Sequence, residues 1–280
     1  MSAELSQTTP SANEMIVRRP EFDFQDSPHN WMPAHPAFGY ELNGGSLVLP
    51  YLEPYLIRVM KQAKDKLGGR DPRLAREIDL FNGQEANHYR LHAGYNALLR
   101  TRYEGLEEIE AEIEADFARM LREESLEWNL GYSAGFETTG MVTAELFFRG
   151  APEALLGADP AVAGLWGWHL AEEFEHRSVA FDVYQALVGN WRERVRLFFY
   201  QSRHLRGFGA RAAALMRDQD EARGLLDHAE LSSHAHKKIG RKQARFVIPR
   251  IATGLLPWHE PRNAPALKEA EAFLTEIAWT

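Results

Sequence analysis

The chain has 280 residues, 45% of them hydrophobic, and a formal net charge of −8. It contains no cysteine, which excludes a disulfide framework, a thiolate nucleophile and thiolate metal ligands. No run of about 18 apolar residues occurs, so no transmembrane helix is expected and a cytoplasmic protein is the default.

Residues 1–20 carry Ser, Thr and Pro without an apolar segment of signal-peptide type and read as a mobile tail. The remainder, 21–280, reads as one helical domain, with a bundle core over about 46–190 and a C-terminal helical extension over 191–280. Residues 21–45 are rich in Pro, Asn, Gly and aromatics (Phe22, Phe24, Trp31, Phe38, Tyr40) and read as an irregular lead-in. It would line an apolar pocket or simply pack over the end of the bundle. A first helix is expected from about Leu47 to Leu67, stopped by Gly68-Gly69. Asp71-Pro72 is an N-cap followed by Pro at the first helical position, and helix two runs from there to about Thr101.

Glu104 to Leu130 is acidic, with Ile109, Ile113, Phe117 and Met120 at helical spacing. Gly131 and Gly135 mark either a break or a close approach of helices. The helix resumes through Glu137 to Phe148 and stops near Gly150-Ala151-Pro152. Asp159-Pro160 repeats the cap signal and opens a long helix to about Val188. A basic helix starts near Trp191, and a short last helix is expected over Ala264 to Trp279. Strand signals are scarce, so the fold class is all-α.

Residues 191–250 hold 14 Lys+Arg against 6 Asp+Glu, a local +8 that leaves −16 on the rest. That stretch suits an anionic ligand, an anionic membrane surface or the acidic part of a partner subunit, as in a homodimer; a solvated helix face is the simplest reading. Nothing in the pattern fits a nucleic-acid module.

The informative feature is a repeated Glu-x-x-His: Glu85-Ala86-Asn87-His88 and Glu173-Phe174-Glu175-His176, 88 residues apart. Positions i and i+3 share a helix face, so each segment offers a carboxylate beside an imidazole. The two Asp-Pro caps are also 88 apart, which suggests two helical hairpins. A dinuclear site needs one further carboxylate from each preceding helix. Glu53 and Glu137 fill those places in apolar surroundings, where an unpaired carboxylate is costly. Glu145 is the rival to Glu137. His169 shares the face of Glu173 and His176 and is either a third imidazole ligand or a partner that orients one. His92 and Glu172 are read as such orienting partners. A single Glu-x-x-His is usually an exposed helix pair; two, each with a Glu upstream, favour a metal site. Without thiolates this donor set suits two iron ions, with Mn/Fe, Mn or Zn as alternatives. His228, His234 and His236 form a small cluster read as surface.

Phe81 to His92 (FNGQEANHYRLH) and Trp168 to Tyr184 (WHLAEEFEHRSVAFDVY) resemble the family described as predicted metal-dependent hydrolases of the ferritin-like superfamily. Weaker agreement covers Pro50 to Glu53 and Phe136 to Thr138, and the likeness spans about residues 20–210. It implies a ferritin-like four-helix bundle with ligands at Glu53, Glu85, His88, Glu137, Glu173 and His176. The spacing His169-x-x-x-Glu173-x-x-His176 is also similar to the di-iron arylamine N-oxygenases, which carry an extra His ligand on that helix. Where the family tends to show Gly-Glu-Arg, this chain has Leu52-Glu53-Pro54, and Pro54 threatens a kink beside a ligand.

The expected function is therefore a non-haem di-iron oxygenase or oxidase that activates O₂ to oxidise a small, partly apolar molecule, with an external reductase supplying electrons. The alternatives are a dinuclear metal-dependent hydrolase, and a non-catalytic metal-binding or interaction protein.

Overall fold

The computed structural model describes residues 15–150, 152–226 and 234–276, with side chains in the last stretch from 237 onward. Every regular element among them is helical. The helices are α1 (Pro36–Leu67), α2 (Pro72–Arg102), α3 (Leu106–Glu123), α4 (Leu126–Glu145), α5 (Pro160–His176), α6 (Val179–Leu187), α7 (Trp191–Ala222), α8 (His234–Gly254) and α9 (Lys268–Glu276). His228, the side chains of His234 and His236, and the far end of the last expected helix lie outside what is described. So does most of the expected tail. Among the described residues, no helix is long and apolar enough to cross a membrane.

Both Asp-Pro caps form as the sequence predicts. The Asp71 carboxylate accepts from Leu74 N at 2.9 Å and that of Asp159 from Val162 N at 3.0 Å. Gly68 ends α1 at φ +58°, where its N–H returns to the carbonyls of Lys64 and Asp65. The acidic helix α3 buries Ile109, Ile113, Phe117 and Met120 on one face.

Three boundaries differ from expectation. Helix α1 begins at Pro36, eleven residues early, and runs through Asn43-Gly44-Gly45. Gly44 is there for contact: a Cβ at that position would overlap the backbone carbonyl of Gly209 on α7. The break between α3 and α4 falls at Glu124-Ser125, where the Ser125 hydroxyl accepts from Trp128 N at 3.2 Å. Gly131 and Gly135 lie inside α4 and admit α7; a Cβ at Gly135 would stand 3.1 Å from Phe198 Cα. The helix expected to reach Val188 stops at His176 and restarts at Val179. There the buried Arg177 guanidinium donates to Pro261 O (3.1 Å) and Ala264 O (3.2 Å), so side chain and C-terminal segment close the gap together.

Helix α1 lies against α2 and α7, α4 against α7, α5 and α6, and α2 against α5. Helix α9 returns to α5, where the Phe273 ring occupies the space a Cβ would take at Gly167. The core runs between these helices and includes Leu52, Tyr55, Phe81, Tyr132, Trp168, Leu197 and Met216.

Candidate metal centre

Four helices supply acidic and imidazole side chains to one buried region. Helix α1 brings Glu53, α2 brings Glu85 and His88, α4 brings Glu137, and α5 brings His169, Glu173 and His176. None is more than 2% exposed. Glu85 and His88 sit together on α2, with Oε2 and Nδ1 3.7 Å apart. On α5, Glu173 Oε1 lies 3.5 Å from His176 Nε2 and 3.3 Å from His169 Nε2. The two helices meet through His176 Nδ1 and Glu85 Oε1 (3.6 Å) and through His88 Nδ1 and Glu173 Oε1 (3.9 Å). Glu53 Oε1 is 3.9 Å from His169 Nδ1.

Apart from the 3.3 Å approach of His169 Nε2 to Glu173, these separations lie beyond ordinary hydrogen-bond lengths, and the Glu85, His88, Glu173 and His176 atoms suit donors spaced around a cation. Both oxygens of Glu53, Glu85, Glu137 and Glu173 lack a hydrogen-bond partner, as do His88 Nδ1 and both nitrogens of His176. Buried polar atoms are normally paired, so this concentration of orphans in one place needs a cause. Two groups have donor atoms within 4.8 Å of one another and could each hold an ion: Glu85, His88, Glu173 and His176; and Glu53, His88 and His169. Glu137 falls outside both close groups, although its carboxylate feels Glu173, Glu85 and Glu53.

The electrostatics fit a site built for positive charge. Burial, then the mutual repulsion of the carboxylates, pushes Glu53 and Glu137 well above the usual carboxylate range. Burial also raises Glu85, against the pull of His88. For Glu173 burial acts upward too, but His176 and His169 outweigh it and hold the group below its ordinary value. Burial and the nearby His88 push His169 down to about 4.

The side chains around this region orient it. Glu172 is fully buried and accepts from His88 Nε2 at 3.1 Å, which turns His88 Nδ1 toward Glu85 and Glu173. Arg18 holds Glu172 in turn, donating to it at 3.0 Å and to both oxygens of Glu175 at 2.8 and 2.7 Å. Gln84 donates to Ile16 O (3.0 Å) and Glu175 (2.8 Å). Residues 15–20 thus depart from the expected mobile tail, because polar partners on α2 and α5 pin them. His92 packs against His169, with Nε2 and Nδ1 3.1 Å apart. Trp168 meets His88 edge-on at 4.8 Å, and Phe81 packs on His176 at 4.7 Å. Gly140 of α4 leaves the room Glu173 needs, since a Cβ there would overlap Glu173 Oε2.

Glu145 takes no part in the centre. It lies at the far end of α4, where Arg250 donates to it at 2.6 Å. Pro54 lies inside α1, as does Pro50, and Glu53 still enters the buried cluster between them. Sequence reasoning missed Arg18, Gln84 and Gly140. Arg18 sits in a stretch of tail-like composition, Gln84 carries no metal-ligand signature, and the place of Gly140 depends on how α4 meets α5.

The family described as predicted metal-dependent hydrolase matches residues 16–266. The chain belongs to that family. The matched span covers all seven buried donors and also Arg18. No curated protein and no solved structure matches the chain.

Proposed function

We propose that this family member is a dinuclear metal enzyme with a ferritin-like four-helix centre, its ions held by Glu53, Glu85, His88, Glu137, His169, Glu173 and His176. One observation carries the reading: four carboxylates without a single hydrogen-bond partner, sealed in the core among three imidazoles. Four carboxylates balance two divalent cations, and an uncompensated cluster of this kind would be strongly unfavourable.

Hydrolysis, the activity in the family's description, is the first reading. Bound divalent ions would supply Lewis acidity and lower the pKa of a bound water. The chain's own part is to position and to exclude. Glu85 and Glu173 stand centrally between the imidazoles. Glu53 and Glu137 add charge from the flanking helices. Glu172 keeps the proton of His88 on Nε2, so Nδ1 faces the cluster. Trp168 and Phe81 wall off bulk water.

O₂-dependent oxidation of a small apolar molecule at an iron pair, with an external reductase, is the second reading. The burial of the donors favours it, because all seven are at most 2% exposed and a diatomic gas reaches such a site more readily than a bulky ester.

Elemental analysis of full-length protein from medium supplemented with iron, manganese and zinc tests the centre. About two ions per chain are expected, with a loss in Glu85→Gln and Glu173→Gln. Protein that takes up no stoichiometric metal overturns it. Turnover of an ester and amide panel without oxygen supports hydrolysis, while product formation that requires both O₂ and reductant supports oxidation.

A further inference from the structure

Pro50 stands inside α1 and has no N–H to give. The carbonyl four residues back, Ser46 O, therefore lacks its helical partner. Asn96 of α2 takes that place, donating from Nδ2 to Ser46 O at 2.8 Å. This bond settles which way round the Asn96 amide lies, because the reverse would set two oxygens against each other. Asn96 Oδ1 then faces the Ser46 hydroxyl, which donates to it at 2.6 Å.

A hydroxyl has one hydrogen to donate. With that hydrogen committed to Asn96, Ser46 Oγ accepts from His92 Nδ1, 2.8 Å away. His92 thus carries its proton on Nδ1. Ser46, His92 and Asn96 are all fully buried, and the two nitrogens of His92 meet Ser46 and His169 rather than a carboxylate, so the ring is neutral. Its bare Nε2 accepts from His169 Nδ1 at 3.1 Å. His169 is left with its own Nε2 bare, facing Glu173 Oε1 at 3.3 Å. Two lone pairs at that separation repel, and a cation between them removes the conflict.

We propose that Ser46 and Asn96 are positioning residues for the metal centre: acting through His92, they lock His169 as the Nδ1–H tautomer with Nε2 aimed at the carboxylates. The purpose of the bare nitrogen rests on the metal reading above; the tautomer does not. Helix α1 thereby contributes a carboxylate, Glu53, and the device that orients an imidazole on α5. His88 and His169 are set in opposite senses. Glu172 takes the Nε2 proton of His88 and leaves Nδ1 inward, whereas His92 takes the Nδ1 proton of His169 and leaves Nε2 inward.

The test is a two-bond ¹H–¹⁵N spectrum of full-length, metal-free protein labelled at histidine nitrogen. His92 and His169 are each expected to show a protonated Nδ1 and a bare Nε2. Ser46→Ala removes the acceptor and should scramble both tautomers, with metal binding weakened about 10- to 100-fold, the range for losing a group that orients a ligand. Ser46→Thr keeps the hydroxyl and should preserve both. A packing role alone would leave the tautomers unmoved. His169 protonated at Nε2, or His92 protonated at both nitrogens, in the wild-type spectrum overturns the relay, and this readout needs no variant to fold. Stoichiometric metal uptake alongside that result would leave the metal reading standing. The expected tautomers in a protein that takes up no metal would support the relay and overturn the metal reading.

Discussion

At the scale of single residues, this protein keeps groups that cost it stability. Glu137 is buried with neither oxygen bonded, and its charge is opposed by burial and by Glu173, Glu85 and Glu53. Replacing it by an apolar side chain of similar length, Glu137→Met, should stabilise the metal-free protein by about 1–3 kcal/mol, the cost of an unsatisfied buried polar group. The same change should weaken metal uptake. Denaturant titrations with and without metal would show the opposite signs. Glu172 and Arg18 act one step further out. Glu172→Gln keeps the shape but weakens the hold on the His88 proton, and metal affinity should fall about 10- to 100-fold; Arg18→Ala should move affinity the same way by a smaller factor. Gly140→Ala would push a methyl group into the place of Glu173 Oε2. Metal content per chain should drop in that variant while the circular dichroism stays helical.

At the scale of elements, helix α1 shows local rules yielding to packing. Gly44-Gly45 falls in the stretch read as an irregular lead-in, yet the chain is helical there and the missing side chain at Gly44 admits the backbone of α7. Gly44→Leu should therefore destabilise the protein by at least about 1–3 kcal/mol, the cost of overpacking, with its effect on the α1–α7 contact rather than on metal stoichiometry. A thermal melt compared with metal analysis separates the two. The internal prolines of the same helix are accommodated by neighbours; the carbonyl that Pro50 orphans is taken by Asn96. Helix α5 ends at His176 for a related reason. Arg177 donates its guanidinium hydrogens to carbonyls of the C-terminal segment, so the end of α5 is tied to chain far away in sequence.

At the scale of the whole molecule, the centre links stability to pH and metal. In the metal-free fold Glu53, Glu137 and Glu85 are raised above their unfolded values. A raised group gives its full stabilisation below the unfolded pKa and loses it as pH climbs through the folded pKa. His88 is also raised, despite burial, by Glu172 and Glu85, and it acts in the same direction. Glu173 is lowered, so its contribution is complete once pH exceeds the ordinary carboxylate range and does not change beyond it. His169 and His92 are lowered, so between about 4 and 6.5 their gain opposes that loss, and above about 6.5 metal-free protein should lose stability as pH rises. Metal should reverse the trend, since it replaces the bound protons and stabilises by about 4 kcal/mol at a thousand times its Kd. Thermal melts across pH, each with and without metal, would read both slopes.

The sequence by itself determined the helical class, the two Asp-Pro helix starts and the acidic-imidazole identity of the centre. These are local: an i, i+3 spacing fixes a shared face, and a cap is read from adjacent residues. Glu145 could be told from Glu137 only by the tertiary structure, because both are glutamates on one helix and the partner, Arg250, comes from α8. The same holds for the role of Arg18 at the edge of the centre, for Gly140 as the gap that admits Glu173, and for Ser46 and Asn96 as the pair that sets His92. Each depends on which helices touch, and at what depth, and that is settled by packing across the core rather than by any stretch of chain read alone.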